Sequence, residues 1–392
     1  MMTFLVALTV GSLLVPVYVY FGYPALLWLL TRRYPPHTHR QADITPPVTL
    51  IISCYNEAAV IREKLANALA LEYPGDQLQI LVVSDGSDDG TDEIVRGYQG
   101  QGVQLIRQEG RLGKTMGLNL ALEQIKTGVV VFSDANAMYA PDALRKLVRN
   151  FADPQVGYVV GAALYTDGDT GASARNENLY WRYEIAIKQM ESRLHSVVGG
   201  DGAIYAIRRE LWQPLQQKDI NDFVNPLQII AIGYRGVFDG EARCFEETAG
   251  NFASEVARKE RIVNRSIRGL MRVKATLDPF RVGVFAWQVI SHKLLRWLIP
   301  LFLAIASACS LLLALAGFGL FQWLTGAALA LLALALVGHF ARHKNNLPAL
   351  VSVPYYFVMV NLYALRGIAS AFQGKTQVTW NSARPARERE TE

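Results

Sequence analysis

Apolar side chains are arranged in two ways along the 392 residues, as long unbroken blocks near both ends and as short runs in between. Residues 1–31 carry no charged side chain and are rich in Leu, Val and aromatics. About 20 apolar residues in a helix cross a hydrocarbon core roughly 30 Å thick, so this block predicts one membrane span. It closes on Arg32-Arg33 and lacks both a basic leader and a small-residue cleavage site, which reads as a retained anchor rather than a signal peptide. From Trp297 to Ala341 there is no Asp, Glu, Lys or Arg, enough for two spans turning near Gly317-Phe318-Gly319. Leu347 to Leu365, with Pro354 inside it, is a further apolar stretch. Helices of a soluble core do not run this long without a charge.

The middle of the chain, from about Ile44 to Met271, alternates short apolar runs with amphipathic segments. Val48-Thr49-Leu50-Ile51-Ile52 predicts a strand ending at Ser53-Cys54-Tyr55-Asn56-Glu57, followed by a helix through Leu71. Ile80-Leu81-Val82-Val83 runs into Ser84-Asp85-Gly86, where glycine and short polar residues suit a tight turn. Val103 to Ile106 is a third strand, Lys114 to Ile125 a helix, and Val129 to Phe132 a fourth strand ending at Ser133-Asp134. Strand runs that are continuously apolar, alternating with helices, predict an α/β fold whose mostly parallel sheet is covered on both faces. Ligands of such sheets bind outside the carboxyl ends of the strands, where Asp85 and Asp134 stand.

Charge and cysteine content refine this organisation. The net charge is +5, with basic residues clustered in 258–274 and in the tail, at Arg366, Lys375, Arg384, Arg387 and Arg389. Membrane-surface and phosphate contacts explain these better than nucleic acid. Cys54, Cys244 and Cys309 have no metal-ligand or paired spacing and fit a reducing compartment. Arg32-Arg33 and Arg296 put the middle domain on the cytoplasmic side of an inner membrane. Three spans after the domain would then carry the basic tail outside, against the same rule, unless Leu347 to Leu365 is re-entrant or interfacial. The expected divisions are an anchor over 1–31, a domain over 44–272, an interfacial stretch over 273–296, two or three helices over 297–370 and a basic tail over 371–392.

Acidic groups at two strand ends, a third Asp at 222 and the cluster Arg258-Lys259-Glu260-Arg261 suit a metal-bound sugar nucleotide attacked by a hydroxyl. In order along the chain, Ser53 to Glu57, Ser84-Asp85-Gly86-Ser87-Asp88-Asp89-Gly90-Thr91, Arg111-Leu112-Gly113-Lys114, Ser133-Asp134-Ala135-Asn136 and Asn221-Asp222-Phe223 resemble the membrane-integrated family 2 glycosyltransferases. That group includes cellulose, chitin, hyaluronan and poly-N-acetylglucosamine synthases and ceramide glucosyltransferases. The resemblance covers about residues 47–272, and five motifs in register make it specific. It implies a GT-A fold, a Rossmann-like α/β domain flanked by transmembrane helices. It also implies inverting transfer from a sugar nucleotide, usually a UDP-sugar, with Mg²⁺ or Mn²⁺.

Residue by residue, the resemblance makes Asp85 the carboxylate that holds the base or ribose, while Asp88 and Asp89 read as turn residues bonding their own backbone. Tyr55, Asn56 and Glu57 stand near the base, with helix capping open for Asn56. Lys114 fits a phosphate or uracil contact, or a surface lysine. Asp134 and Asn136 occupy the Asp-x-Asp position; alternation at a strand end sends both side chains to one side, where they can share a divalent ion. Asn136 brings a carbonyl but no charge, and it could instead cap the next helix. Asp222 matches the catalytic base, with Asp219 as a rival. Arg261 falls on the diphosphate arginine of Gln-x-x-Arg-Trp, Arg258 replaces the glutamine, and Ile262 replaces the tryptophan, which favours single transfer or a lipid acceptor over processive synthesis.

The same cluster also reads as an amphipathic helix on anionic lipid, with Ile262, Val263 and Ile267 toward the membrane. Gly200 and Asp201, in Gly199 to Tyr205, occupy the acceptor side or form a turn before a strand, and Trp181 is a stacking platform or a core aromatic. In the tail, Gln377 to Arg384 resembles the gating-loop motif of hyaluronan synthases.

The expected partners are a UDP-sugar donor, a glycan or lipid acceptor, membrane lipids, and an export partner or a homo-oligomer, since four or so spans are few for a polymer channel. The leading function is envelope or extracellular polysaccharide synthesis; the alternatives are a glycolipid synthase with a diacylglycerol- or ceramide-type acceptor and a non-catalytic nucleotide-sugar receptor. A nucleotidyltransferase would need a Gly-rich phosphate loop after the first strand, which Ser53 to Ala58 lacks. A transporter would need charges at the membrane centre.

Overall fold

The computed structural model describes residues 1–165, 172–246, 252–341 and 348–375; the tail motif at 377–384 lies outside them. Eight strands make one sheet in the order β3-β2-β1-β4-β7-β6-β8-β5. They are β1 (Val48–Cys54), β2 (Leu78–Ser84), β3 (Val103–Arg107), β4 (Val129–Asp134), β5 (Met138–Tyr139), β6 (Val156–Tyr165), β7 (Tyr205–Arg208) and β8 (Arg235–Glu246). The first four run parallel, with β1 between β2 and β4. Beyond them the sheet is mixed, because β7 pairs antiparallel with both β4 and β6, and β5 antiparallel with β8.

The helices in chain order are α1 (Met2–Val17), α2 (Tyr23–Arg33), α3 (Ile61–Leu69), α4 (Thr91–Arg96), α5 (Lys114–Gln124), α6 (Ala143–Val148), α7 (Ala172–Leu194), α8 (Asn221–Ala231), α9 (Phe252–Arg272), α10 (Pro279–Val282), α11 (Val284–Val289), α12 (Leu295–Leu315), α13 (Gly319–Ala341) and α14 (Ala349–Phe372). Backbone packing divides the chain into two units. One gathers Met1–Leu26, Phe252–Ile267 and residues 290–375; the other gathers residues 27–246 and Arg268–Val289.

In the second unit every residue of β1 is buried, as the unbroken apolar run requires. Strand alternation sends Leu50, Ile52, Val82 and Val131 into one cluster with Ile61, Leu65, Leu144 and Leu147 of α3 and α6. Ile51, Leu81 and Val83 take the other face, which α5 covers. A Cβ on Gly117 of α5 would lie 2.6 Å from Val83 Cγ1, so glycine lets the helix rest on the sheet. Each large aliphatic side chain buried here contributes about 1.5–3 kcal/mol. The parallel register sets Cys54 beside Ser84 and Ser53 beside Asp134, lining up the strand ends that carry the polar loops.

In the first unit α12 and α13 meet at a turn whose Gly317 has φ 90°, and Ser310 Oγ lies 3.1 Å from Thr325 Oγ1 across the pair. A Cβ on Gly338 would come 2.6 Å from Tyr355 Cβ, so α13 and α14 approach closely there. Among the described residues four helical stretches are long and apolar enough to cross a membrane: Met2–Arg33, Val284–Leu315, Gly319–Ala341 and Ala349–Phe372. The last is a single helix through Pro354, longer than the stretch legible from hydropathy. Val263 and Ile267 of α9 do not face outward; they pack against Ala364 and Ile368 of α14, while Ile262 stays exposed. That corrects the expectation of a lipid-facing stripe through Val263 and Ile267, because the apolar face of α9 is covered by protein.

Candidate active site

The loops after β1 and β2 are locked together by side chains. Asn56, the one non-glycine residue with positive φ (53°) among the described residues, donates from Nδ2 to Asp88 Oδ1 at 2.7 Å and accepts from the Asp88 N–H at 3.0 Å. Asp89 accepts from the Ala58 and Thr91 backbone N–H groups at 2.9 and 3.0 Å. Burial raises its pKa, but these bonds and the one from the Thr91 hydroxyl outweigh it and hold Asp89 below the ordinary carboxylate range. The Glu57 N–H is taken by the Thr91 hydroxyl at 2.9 Å.

Asp85, at the end of β2, is buried. Its Oδ1 accepts three bonds, from Gln108 Nε2 at 2.8 Å and from the Leu112 and Gly113 N–H groups at 2.9 Å each. Its Oδ2 has no hydrogen-bond partner among the described residues. Burial pushes the pKa up, against the two backbone bonds and the Arg111 charge. One oxygen thus fixes the 110–113 turn, and the other could accept from a ligand, since a buried acceptor left unpaired is costly. Arg111 lies 3.6 Å above the Tyr55 ring, a cation–π stack. At Gly86 (φ 75°) a Cβ would stand 2.9 Å from the Gly110 carbonyl oxygen, so the close approach of these turns requires glycine.

A second group of charges meets beside Gly202. A Cβ built there would lie 3.2 Å from Asp222 Oδ2, 3.5 Å from Asp134 Oδ2 and 3.6 Å from Lys114 Nζ. Lys114, in the first turn of α5, donates to Asp134 Oδ1 at 2.5 Å. Burial lowers its pKa, yet Asp134, by charge and hydrogen bond, and Asp222 bring it above the usual value, so the ammonium stays charged. Asn136 is half-buried two residues beyond Asp134. Asp222 lies in the first turn of α8, and its carbonyl accepts from the Gly200 N–H at 2.5 Å.

Asp219, the sequence rival of Asp222, is buried in an ion pair with Arg272 and also accepts the Gln216 N–H at 2.7 Å. Its carbonyl accepts the Thr115 hydroxyl at 2.8 Å. It acts as a tether for the loop that leads into Asp222. Asp201 accepts from Lys188 of α7 at 2.9 Å, and Trp181 lies seven residues before Lys188, on the same helical face. Burial lowers the Lys188 pKa, and the Asp201 charge and bond raise it further than that. Lys188, Arg272 and Thr115 were missed by sequence reasoning, because each acts through a partner on another element. Arg258 and Arg261 belong to the other unit, where Arg258 is exposed and burial, then the Arg258 charge, lowers the Arg261 pKa.

Residues 49–213 match the family described as Glycosyl transferase family 2. Over these residues the chain is similar to family 2 glycosyltransferases. It is 30% identical over 150 residues to a poly-beta-1,6-N-acetyl-D-glucosamine synthase of Staphylococcus aureus, covering 36% of this chain and 36% of that one. It is 29% identical over 125 residues to the protein of the same description from Staphylococcus epidermidis, covering 31% and 29%. The chain therefore spans about a third of the length of these relatives. A solved structure, the mannosyltransferase PcManGT from Pyrobaculum calidifontis in complex with GDP-Man and Mn²⁺, matches with TM-score 0.69 and 25% identity over 95% of this chain and 99% of that one. The sheet is a GT-A fold.

Among the described residues no three His, Cys, Asp or Glu side chains gather to hold a metal ion. The donor set at the Gly202 cradle still fits a divalent cation whose shell is completed by a ligand's oxygens. Asp134 supplies a carboxylate there, and magnesium-type ions ordinarily take one or two carboxylates plus phosphates.

Proposed function

We propose that the protein is a membrane-bound inverting glycosyltransferase that moves a sugar from a UDP-sugar to a glycan or lipid acceptor on the cytoplasmic side of the inner membrane, in envelope or extracellular polysaccharide synthesis. The convergence of Asp222, Asp134 and Lys114 on Gly202 carries this proposal. Asp222 takes the proton of the acceptor hydroxyl while that oxygen attacks the anomeric carbon from the face opposite the departing nucleotide. Asp134 and Asn136 would hold Mg²⁺ or Mn²⁺, which when bound neutralises charge on the leaving diphosphate. Lys114 offers its ammonium to the same phosphates, and Asp85 Oδ2 accepts from the nucleoside beside the Tyr55–Arg111 stack. Asp201, fixed by Lys188, faces the acceptor side with Gly200 and Trp181.

Product formation from radiolabelled donors by the full chain in lipid vesicles, with Asp222→Asn alongside, tests this. Transfer that survives the substitution would remove Asp222 as base. A second donor reading, GDP-mannose, is favoured by the likeness to the mannosyltransferase, which spans nearly the whole chain. Ile262 at the tryptophan position favours single transfer to a lipid acceptor, and label recovered in lipid extract rather than polymer would support it.

A further inference from the structure

Helix α3 presents Ile61, Lys64, Leu65 and Ala68 to the core, so a lysine occupies a position where helical periodicity calls for an apolar residue. Lys64 is fully buried. Its ammonium donates to the Ala137 carbonyl and lies 4.2 Å over the Tyr139 ring. One turn on, Asn67 clasps the backbone of Tyr139, donating to its carbonyl at 2.9 Å and accepting its N–H at 2.8 Å. The Tyr139 hydroxyl in turn bonds the Phe132 and Ala203 carbonyls, both at 3.1 Å, next to the Gly202 cradle. Helix α3 therefore grips residues 137–139 from behind, immediately after Asp134 and Asn136.

A buried ammonium is expensive. Burial draws the Lys64 pKa down to about 8, against the charges of Asp134 and Glu246 that favour the cation. Among the described residues one oxygen acceptor and one ring face do not satisfy three N–H donors, so a well-fitting apolar side chain would serve the fold better. The retained charge needs a reason beyond packing, and the loop it holds supplies one.

We infer that Lys64 is a positioning residue that fixes the Ala137 carbonyl and sets positive charge behind Asp134, presetting the Asp134–Asn136 pair for a divalent cation on a nucleotide diphosphate. This rests on the glycosyltransferase reading above. Supporting groups behind metal ligands typically change metal affinity by about 10- to 100-fold when removed.

The test compares the full chain with its Lys64→Met variant in lipid nanodiscs, measuring melting temperature and the binding of UDP and GDP with and without Mn²⁺. The expected result has opposite signs: the variant melts higher, its metal-free nucleotide affinity is unchanged, and the Mn²⁺-dependent gain in affinity falls by about tenfold or more. A variant whose Mn²⁺-dependent gain matches the parent's, or one that loses melting temperature and all nucleotide binding together, overturns the inference. A parent chain that binds neither nucleotide with Mn²⁺ overturns the glycosyltransferase reading itself, and the inference with it.

Discussion

The nucleotide side and the base side of the candidate site are built differently. Around Asp85 the holding bonds run between loops that directly follow β1, β2 and β3, with Asn56 tied to Asp88 and Asp85 to Leu112 and Gly113. Around Asp222 the holding groups come from outside the strand-end loops: Thr115 of α5 and Arg272 of α9 on Asp219, and Lys188 of α7 on Asp201. A parallel sheet fixes its own strand-end loops through register, so the first half needs only local turn chemistry. The second half draws on groups outside that register, because Asp201 precedes the antiparallel β7 and Asp222 lies on α8.

That contrast can be broken by substitution. Asp85→Ala strands three donors, those of Gln108, Leu112 and Gly113, and removes the free oxygen; a buried donor left unmet costs about 1–3 kcal/mol. Nucleotide affinity is expected to fall about 100-fold, read by calorimetry, with melting temperature lowered less than by a core truncation. Arg272→Ala leaves the buried Asp219 carboxylate without its cation, a change that costs about 3 kcal/mol in a buried pair. Stability and transfer should both fall while nucleotide affinity at the Asp85 side holds; equal loss of both functions would erase the distinction between the two halves.

Gly202→Ala places a methyl 3.2 Å from Asp222 Oδ2. A displacement of a few tenths of an ångström at a reacting centre is expected to lower kcat about tenfold with little change in donor KM, since misplacement by 1 Å can cost about 100-fold. Asn56→Ala is the mildest, removing two exposed bonds to Asp88 for about 1 kcal/mol of loop order. It should weaken nucleotide binding a few-fold and leave the acceptor side untouched, which donor KM and acceptor KM measured separately would check.

How much of this was legible in sequence follows the same divide. β1 to β4 are continuous apolar runs ending in polar turns, and their parallel order reads directly from alternation with helices. β8 does not read that way: Arg235, Asp239, Glu241 and Arg243 interrupt it, and Arg149, just past the end of α6, neutralises Asp239. Asp85, Asp134 and Asp222 were visible as acids at strand or loop ends. Lys188 and Arg272 were not, since a lysine or arginine on a helix looks like a solvated face until its carboxylate partner is known. Lys64 did leave a trace, a cation in phase with Ile61, Leu65 and Ala68. The last helix runs on past Leu365 to Phe372, because Ala364 and Ile368 pack on α9, which hydropathy alone does not register.

The central claim is that Asp222 is the base of a sugar transfer at the Gly202 cradle. Purified full-length protein in lipid vesicles, given radiolabelled UDP-sugars and GDP-mannose with Mn²⁺ or Mg²⁺, should move label from one donor into lipid or polymer. Asp222→Asn should lower that rate by about 10²- to 10⁴-fold, the range for removing a general base, with nucleotide affinity unchanged. Transfer by the Asn variant at the parent's rate, or binding of a nucleotide with no transfer from any donor to any acceptor fraction, would contradict it.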